Sequence, residues 1–107
     1  MNKNGITVGL AIENYIIANY GVLSPTTIRL YESMSSNPWY YKDLRYKTVE
    51  ELTNFDVQLA VNKLKSCHEL SNRTIRQVMT LFDAAIKFYN KDITFNYRCP
   101  SEMFMEV

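Results

Sequence analysis

The stretch L-S-N-R-T-I-R-Q-V-M-T-L-F-D-A-A-I-K-F-Y, from Leu70 to Tyr89, decides the fold class. Ile75, Val78, Met79, Phe82, Ala85, Ile86 and Tyr89 recur at spacings of three and four, the signature of a helix with one apolar face. Ser71 sits where an N-cap is needed. Leu70 before it and Ile75 after it are placed to close as a hydrophobic staple. The spacing predicts a long helix that ends near Asn90.

An earlier phrase, L-S-P-T-T-I-R from Leu23 to Arg29, shares Leu, Ser, Thr, Ile and Arg with L-S-N-R-T-I-R at the same offsets. It predicts a helix capped by Ser24, with Pro25 at N1 where its missing N–H costs nothing. Ile28, Tyr31 and Met34 face inward, and S-S-N-P at 35–38 ends it. Upstream, Thr7 caps a helix whose Val8, Ala11, Ile12, Tyr15, Ile16 and Asn19 share helical spacing, with Gly21 as its stop. Thr53 and Asp56 form a capping box ahead of Val57, Ala60, Val61 and Leu64, and that helix fades at S-C-H-E. Residues 38–52 read as a short helix or turn that carries Trp39, Tyr40 and Tyr41 onto the bundle, with Thr48 to Leu52 as a connector. After Asn90, Ile93, Phe95 and Tyr97 alternate with polar residues in an extended stretch. The reading is a small all-α four-helix bundle: a disordered N-terminus over 1–6, a helical domain over 7–91, and a linker or tail over 92–107.

Length and composition fit this. The chain has 107 residues, 47% hydrophobic and 21% charged, enough to build one core without staples. Two cysteines, Cys67 and Cys99, make no disulfide framework, so a reducing cytoplasm is the expected compartment. No apolar run approaches the ~18 residues of a membrane span, and the N-terminus lacks the apolar centre of a signal peptide. The single histidine, His68, beside Cys67, lacks the further ligands of a zinc site. Glu50 and Glu51 are adjacent and read as solvated, not as an acid/base pair. No phosphate loop, nucleophile elbow or zinc-protease motif occurs. No catalytic residue, metal or cofactor is expected in this chain.

Net charge is +1, but its distribution is uneven. Residues 24–47 carry Arg29, Lys42, Arg45 and Lys47 against Glu32 and Asp43. Residues 71–91 carry Arg73, Arg76, Lys87 and Lys91 against Asp83. The two basic segments are the ones opened by the repeated phrase. First turns of helices usually favour acids, which complement the positive end of the dipole. Asp56 supplies one in the third helix, whereas the turns P-T-T and N-R-T have none, and Arg73 at N2 adds positive charge. Arg73, Arg76, Gln77 and Thr80 share the face opposite the apolar stripe, and Thr26, Arg29 and Ser33 share an outward strip. Such side chains bond phosphates and base edges, and an acid-free helix start attracts anions. The plainer alternative is two well-capped helices with solvated polar faces.

V-L-S-P-T-T-I-R-L-Y resembles the phrase that opens the second helix of the core-binding domain in phage-integrase-type tyrosine recombinases. T-V-G-L-A-I-E-N-Y-I at 7–16, L-T-N-F-D-V-Q-L-A-V-N-K-L at 52–64 and the stretch at 70–88 are similar to that family's first, third and fourth helices, in order. The resemblance covers about residues 7–90 and implies a SAM-like orthogonal four-helix bundle. It also implies that this bundle forms half of a clamp on the core recombination site, with its second and fourth helices facing the major groove. Carried over, the DNA face is Ser24, Thr26, Thr27 and Arg29 with Ser71, Asn72, Arg73, Arg76 and Gln77; Lys42, Arg45 and Lys47 are further backbone contacts. The implied partners are double-stranded DNA, a catalytic domain of the same parent chain, and other recombinase protomers. The family's active site of two Arg, a Lys, one or two His and a nucleophilic Tyr lies in that separate domain. Here Asn96 is not followed by Pro, a departure from the family's usual linker. The alternative from a different class is a helical protein-interaction module without DNA affinity.

Overall fold

Thr7 shows how the chain starts its first helix. Its Oγ1 accepts the Leu10 N–H at 3.2 Å, and its extended backbone turns the chain into α1, Val8–Ala18. The computed structural model describes residues 5–37, 39–66 and 69–97. After α1 come α2 (Pro25–Ser36), a short 3-10 helix (Val49–Glu51), α3 (Asn54–Ser66) and α4 (Asn72–Tyr89). Among the described residues there is no strand, only isolated bridges pairing Thr7 with Thr48 and Tyr20 with Leu23. The fold is an all-helical globule of four α-helices. Cys67, His68, Cys99, residues 1–4 and the chain after Tyr97, about which the sequence raises expectations, lie outside the described residues.

α4 is the spine. Ile75, Val78, Phe82 and Ala85 are wholly buried, as the spacing predicts, with Met79 and Ile86 close behind. Leu81, off that stripe, is also wholly buried. The cause is cover on more than one side, since α1 and α3 both pack on α4. α1 contributes Val8, Ala11, Ile12 and Ile16, and α3 contributes Val57, Ala60, Val61 and Leu64.

Two sequence readings are corrected. α1 ends at Ala18 with Asn19 as its C-cap, ahead of the expected Gly21. Asn19 closes the helix itself, its amide donating to the Tyr15 carbonyl at 2.8 Å. Gly21 instead takes the left-handed conformation, φ 83°, in the turn that leads to α2, where a side chain would be strained. In the aromatic run, Tyr41 rather than Trp39 goes into the core. Tyr41 is 1% exposed and Trp39 51%. The buried Tyr41 hydroxyl donates to the Val78 carbonyl at 2.7 Å, which satisfies the phenol inside the core. Burial pushes its pKa far above the ordinary tyrosine value.

The segment after α4 is packed against the bundle. Ile93, Phe95 and Tyr97, in the stretch expected as a linker or tail, are half-buried against the core while Thr94 and Asn96 face solvent. The Phe95 ring lies 6.0 Å from that of Phe82. Tyr97 donates its hydroxyl to Asp83 Oδ2 at 2.6 Å, and Asn96 N–H donates to Asn54 Oδ1 at 2.9 Å. Desolvation raises the Asp83 pKa above its ordinary 3.8, against opposing pulls from the Tyr97 hydrogen bond and Lys87. A carboxyl with a raised folded-state pKa stabilises the fold most when protonated, and that contribution is lost as pH rises through the raised value. Asp83→Asn keeps an acceptor for Tyr97 without the buried charge. The expected outcome is a urea midpoint at neutral pH at or above that of the parent chain, with any advantage shrinking as pH falls towards 3.8. A variant clearly less stable at neutral pH contradicts this account of Asp83.

Candidate nucleic-acid interface

The repeated phrase builds the same object twice. Ser24 Oγ accepts the Thr27 N–H at 3.2 Å and donates to Thr27 Oγ1 at 3.0 Å. Ser71 Oγ accepts the Thr74 N–H at 3.2 Å and donates to Thr74 Oγ1 at 3.1 Å. Each threonine is thus the N3 residue that completes the serine cap. Ile28 and Ile75 at N4 are buried, and Arg29 and Arg76 at N5 are exposed. The shared Leu, Ser, Thr and Ile are capping and packing. The shared Arg is left for the surface.

The other two starts differ. In α1, Val8 N–H donates to the Lys47 carbonyl at 2.9 Å and Gly9 N–H to the Arg45 carbonyl at 3.0 Å, so a loop occupies that helix end. Gly9 permits this approach, since a Cβ there would meet Arg45 Cγ at 2.9 Å. In α3, Asp56 accepts the Thr53 N–H at 3.2 Å and donates its own N–H to Thr53 Oγ1 at 3.1 Å, the capping box the sequence predicts. α2 and α4 have no acid in their first turns. Their positive ends stay uncompensated by carboxylates of their own.

These two starts share one surface. Thr27, Leu30 and Tyr31 from α2 face Arg73, Arg76, Gln77 and Thr80 from α4 across an open concavity. Behind it, Tyr15 of α1 bridges the two helices, its ring 6.3 Å from Tyr31 and 5.7 Å from Phe88. Thr27, Arg73, Arg76 and Gln77 of the expected face therefore come together. Leu30 and Tyr31 join them, although helical spacing sets Tyr31 inward and does not single out Leu30. Their signal is position, one turn beyond Thr27 on the same strip. Thr26 and Arg29 are exposed on α2 but do not line the concavity, and Ser24, Ser71 and the half-buried Asn72 belong to the helix starts around it.

The basic residues of the 39–47 loop lie elsewhere. Lys42 Nζ sits 5.7 Å from the centre of the Trp39 ring. The neighbouring Asp43 pairs with Lys63 at 3.3 Å, an exposed pair worth little in water. Lys47 is half-buried, with its carbonyl holding the α1 start. Arg45 is a tie: its Nη2 donates to the Ser35 carbonyl at 2.6 Å and reaches the Asn37 carbonyl at 3.4 Å, closing the C-terminus of α2. A cation at a helix C-terminus is doubly favourable there, as donor and as countercharge. Arg45→Ala is expected to lower unfolding stability by about 1.5–3 kcal/mol, the range for hydrogen bonds from a charged group. It should leave the affinity of the folded protein for polyanions within about twofold, since one charge off the α2–α4 surface is largely screened. Urea unfolding with heparin binding checks both halves.

Among the described residues no group of acids, cysteines and histidines is arranged to hold a metal ion, and no helix is long and apolar enough to cross a membrane. No protein-family model matches the chain, and no curated protein or solved structure matches it either.

Proposed function

We propose that this chain is a DNA-gripping domain, the core-binding domain of a site-specific recombinase of the tyrosine-recombinase class with a SAM-like four-helix fold. The observation that carries the reading is the single concavity lined by Thr27 of α2 and Arg73, Arg76 and Gln77 of α4, between two helix starts without acids. A duplex laid across it meets two positive helix ends on its phosphates. Arg73, in the first turn of α4, is the phosphate contact. Arg76 and Gln77, one turn further in, are of the types that pair with guanine and adenine edges in a major groove. Cutting and rejoining belong to a separate catalytic domain, and the full assembly would hold further recombinase protomers on the same DNA.

The test is fluorescence anisotropy of a labelled duplex titrated with the chain. Affinity in the range of about 10⁻⁴ to 10⁻⁶ M, falling steeply with salt, is expected for a grip without its cognate sequence. No anisotropy change at low salt overturns the reading. One observation favours a protein-interaction module instead: the same concavity holds Leu30, an apolar side chain 42% exposed, beside Tyr31. That module predicts no response to the duplex.

A further inference from the structure

α1 is apolar on both sides. Val8, Ala11, Ile12 and Ile16 are buried against the bundle. On the opposite strip, at the i, i+3, i+7 spacing of one helix face, Leu10, Glu13 and Ile17 are exposed, Ile17 by 61%. Glu13 is the one charged residue of the helix. A surface helix normally carries charge along its outer face, and a helix apolar all round belongs where both sides are covered. Beside that strip Ile17 and Tyr20, 54% exposed, line a groove of about 290 Å³ with Glu13, and with Glu32 and Ser36 of α2. The Tyr20 hydroxyl donates to Glu32 Oε2 at 2.5 Å and ties the two helices together there.

Charge selects what fits. Among the described residues neither Glu13 nor Glu32 forms an ion pair. The one cation lining the groove is Arg45, and its Nη2 is engaged by the Ser35 and Asn37 carbonyls. An occupant that dries these carboxylates without bringing cations leaves charge buried and unpaired, which is costly. A second copy offering its own α1 brings another Glu13 and no Lys or Arg. We propose that this groove docks a helical segment of a partner protein whose apolar ridge is edged by lysine or arginine, the ridge on Ile17 and Tyr20 and the cations on Glu13 and Glu32. Helices bind apolar grooves in this way, by anchors one turn apart, and the charges fix partner and register. At about 100° per residue, Glu32 and Ser36 stand on the far side of α2 from Thr27, Leu30 and Tyr31. The docking therefore leaves the α2–α4 concavity open, and it stands whatever that concavity binds.

The probe is a synthetic amphipathic peptide of leucine and lysine at helical spacing, titrated into the full chain while the backbone amide signals are followed by NMR. Shifts confined to Leu10, Glu13, Ile17, Tyr20, Glu32 and Ser36 are expected, and they should weaken with salt. No shifts, or shifts centred on other residues, overturn the proposal. A peptide with glutamate in place of lysine keeps the apolar ridge but sets like charges against Glu13 and Glu32, and should bind at least about tenfold more weakly. Equal binding of the two peptides overturns the choice of a basic occupant. Ile17→Ser and Glu13→Lys, both at exposed positions, should each weaken the lysine peptide about tenfold, one through lost apolar burial and the other through charge. Either variant binding as the parent chain does overturns the placement. Dilution of the chain alone should leave the same signals where they are; movement on dilution assigns the face to a second copy and overturns the proposal.

Discussion

Phe82→Ala is expected to lower unfolding stability by about 3–5 kcal/mol, the range for emptying a buried phenylalanine site. Phe82 is wholly buried in α4, the helix on which α1 and α3 both pack. The opening left by its ring cannot be closed by one neighbour, because α1, α3 and the returning segment are held by separate contacts. The Phe95 ring, 6.0 Å away, also loses its aromatic partner, a further effect of about 0.5–1.5 kcal/mol. A domain of this size has about 5–15 kcal/mol in hand, so the variant should be marginal at room temperature. Urea unfolding followed by far-ultraviolet circular dichroism measures it, with Leu30→Ala as a control on an exposed site. A loss below about 1 kcal/mol, the centre of the distribution for ordinary substitutions, would contradict the central place given to α4.

That place is legible in the sequence because α4 carries its own instructions. Seven apolar residues at helical spacing, a serine cap and a staple are local features that the chain states in one stretch. The capping box of α3 is legible for the same reason. The misread features depend on what folds against them. Asn19 ends α1 ahead of Gly21 because its side chain can reach the Tyr15 carbonyl, a competition composition does not reveal. Tyr41 outranks Trp39 for the core because the Val78 carbonyl stands ready for its hydroxyl, 37 residues along the chain.

The candidate face divides along the same line. Position on a helix predicts that Arg73, Arg76 and Gln77 point outward together. That Thr27 of α2 shares their concavity depends on how both helices pack on α1, which no local pattern encodes. Arg45 has the right charge for a phosphate contact. Its engagement with the α2 C-terminus follows from a loop path visible only in three dimensions. The threonines of the repeated phrase show the opposite limit. Thr27, read as an outward contact, lines the concavity but is also a cap partner whose hydroxyl accepts from Ser24, as that of Thr74 does from Ser71, whereas Arg29 and Arg76 serve no cap.

The double variant Arg73→Ala/Arg76→Ala is the decisive change for binding. If both guanidinium groups meet the duplex, the logarithm of the binding constant should fall less steeply with the logarithm of salt, the slope shrinking by about 0.9 for each phosphate no longer neutralised. A decrease of about 1.8 in slope therefore marks two phosphates, at about 0.9 apiece. A decrease of about 0.9 with a change in sequence preference marks one phosphate contact and one base contact, the division proposed for Arg73 and Arg76. Affinity at moderate salt should fall by roughly ten- to a hundredfold for each arginine removed, from about 1.5–3 kcal/mol per charge-assisted hydrogen-bonding group. Both side chains are exposed, so the variant should unfold within about 0.5 kcal/mol of the parent chain. Relief of Arg73's repulsion from the positive start of α4 pushes in the stabilising direction. That pairing of strong loss of binding with unchanged or slightly improved stability is what a functional face predicts. Two merely solvated arginines would leave both the slope and the affinity where they were.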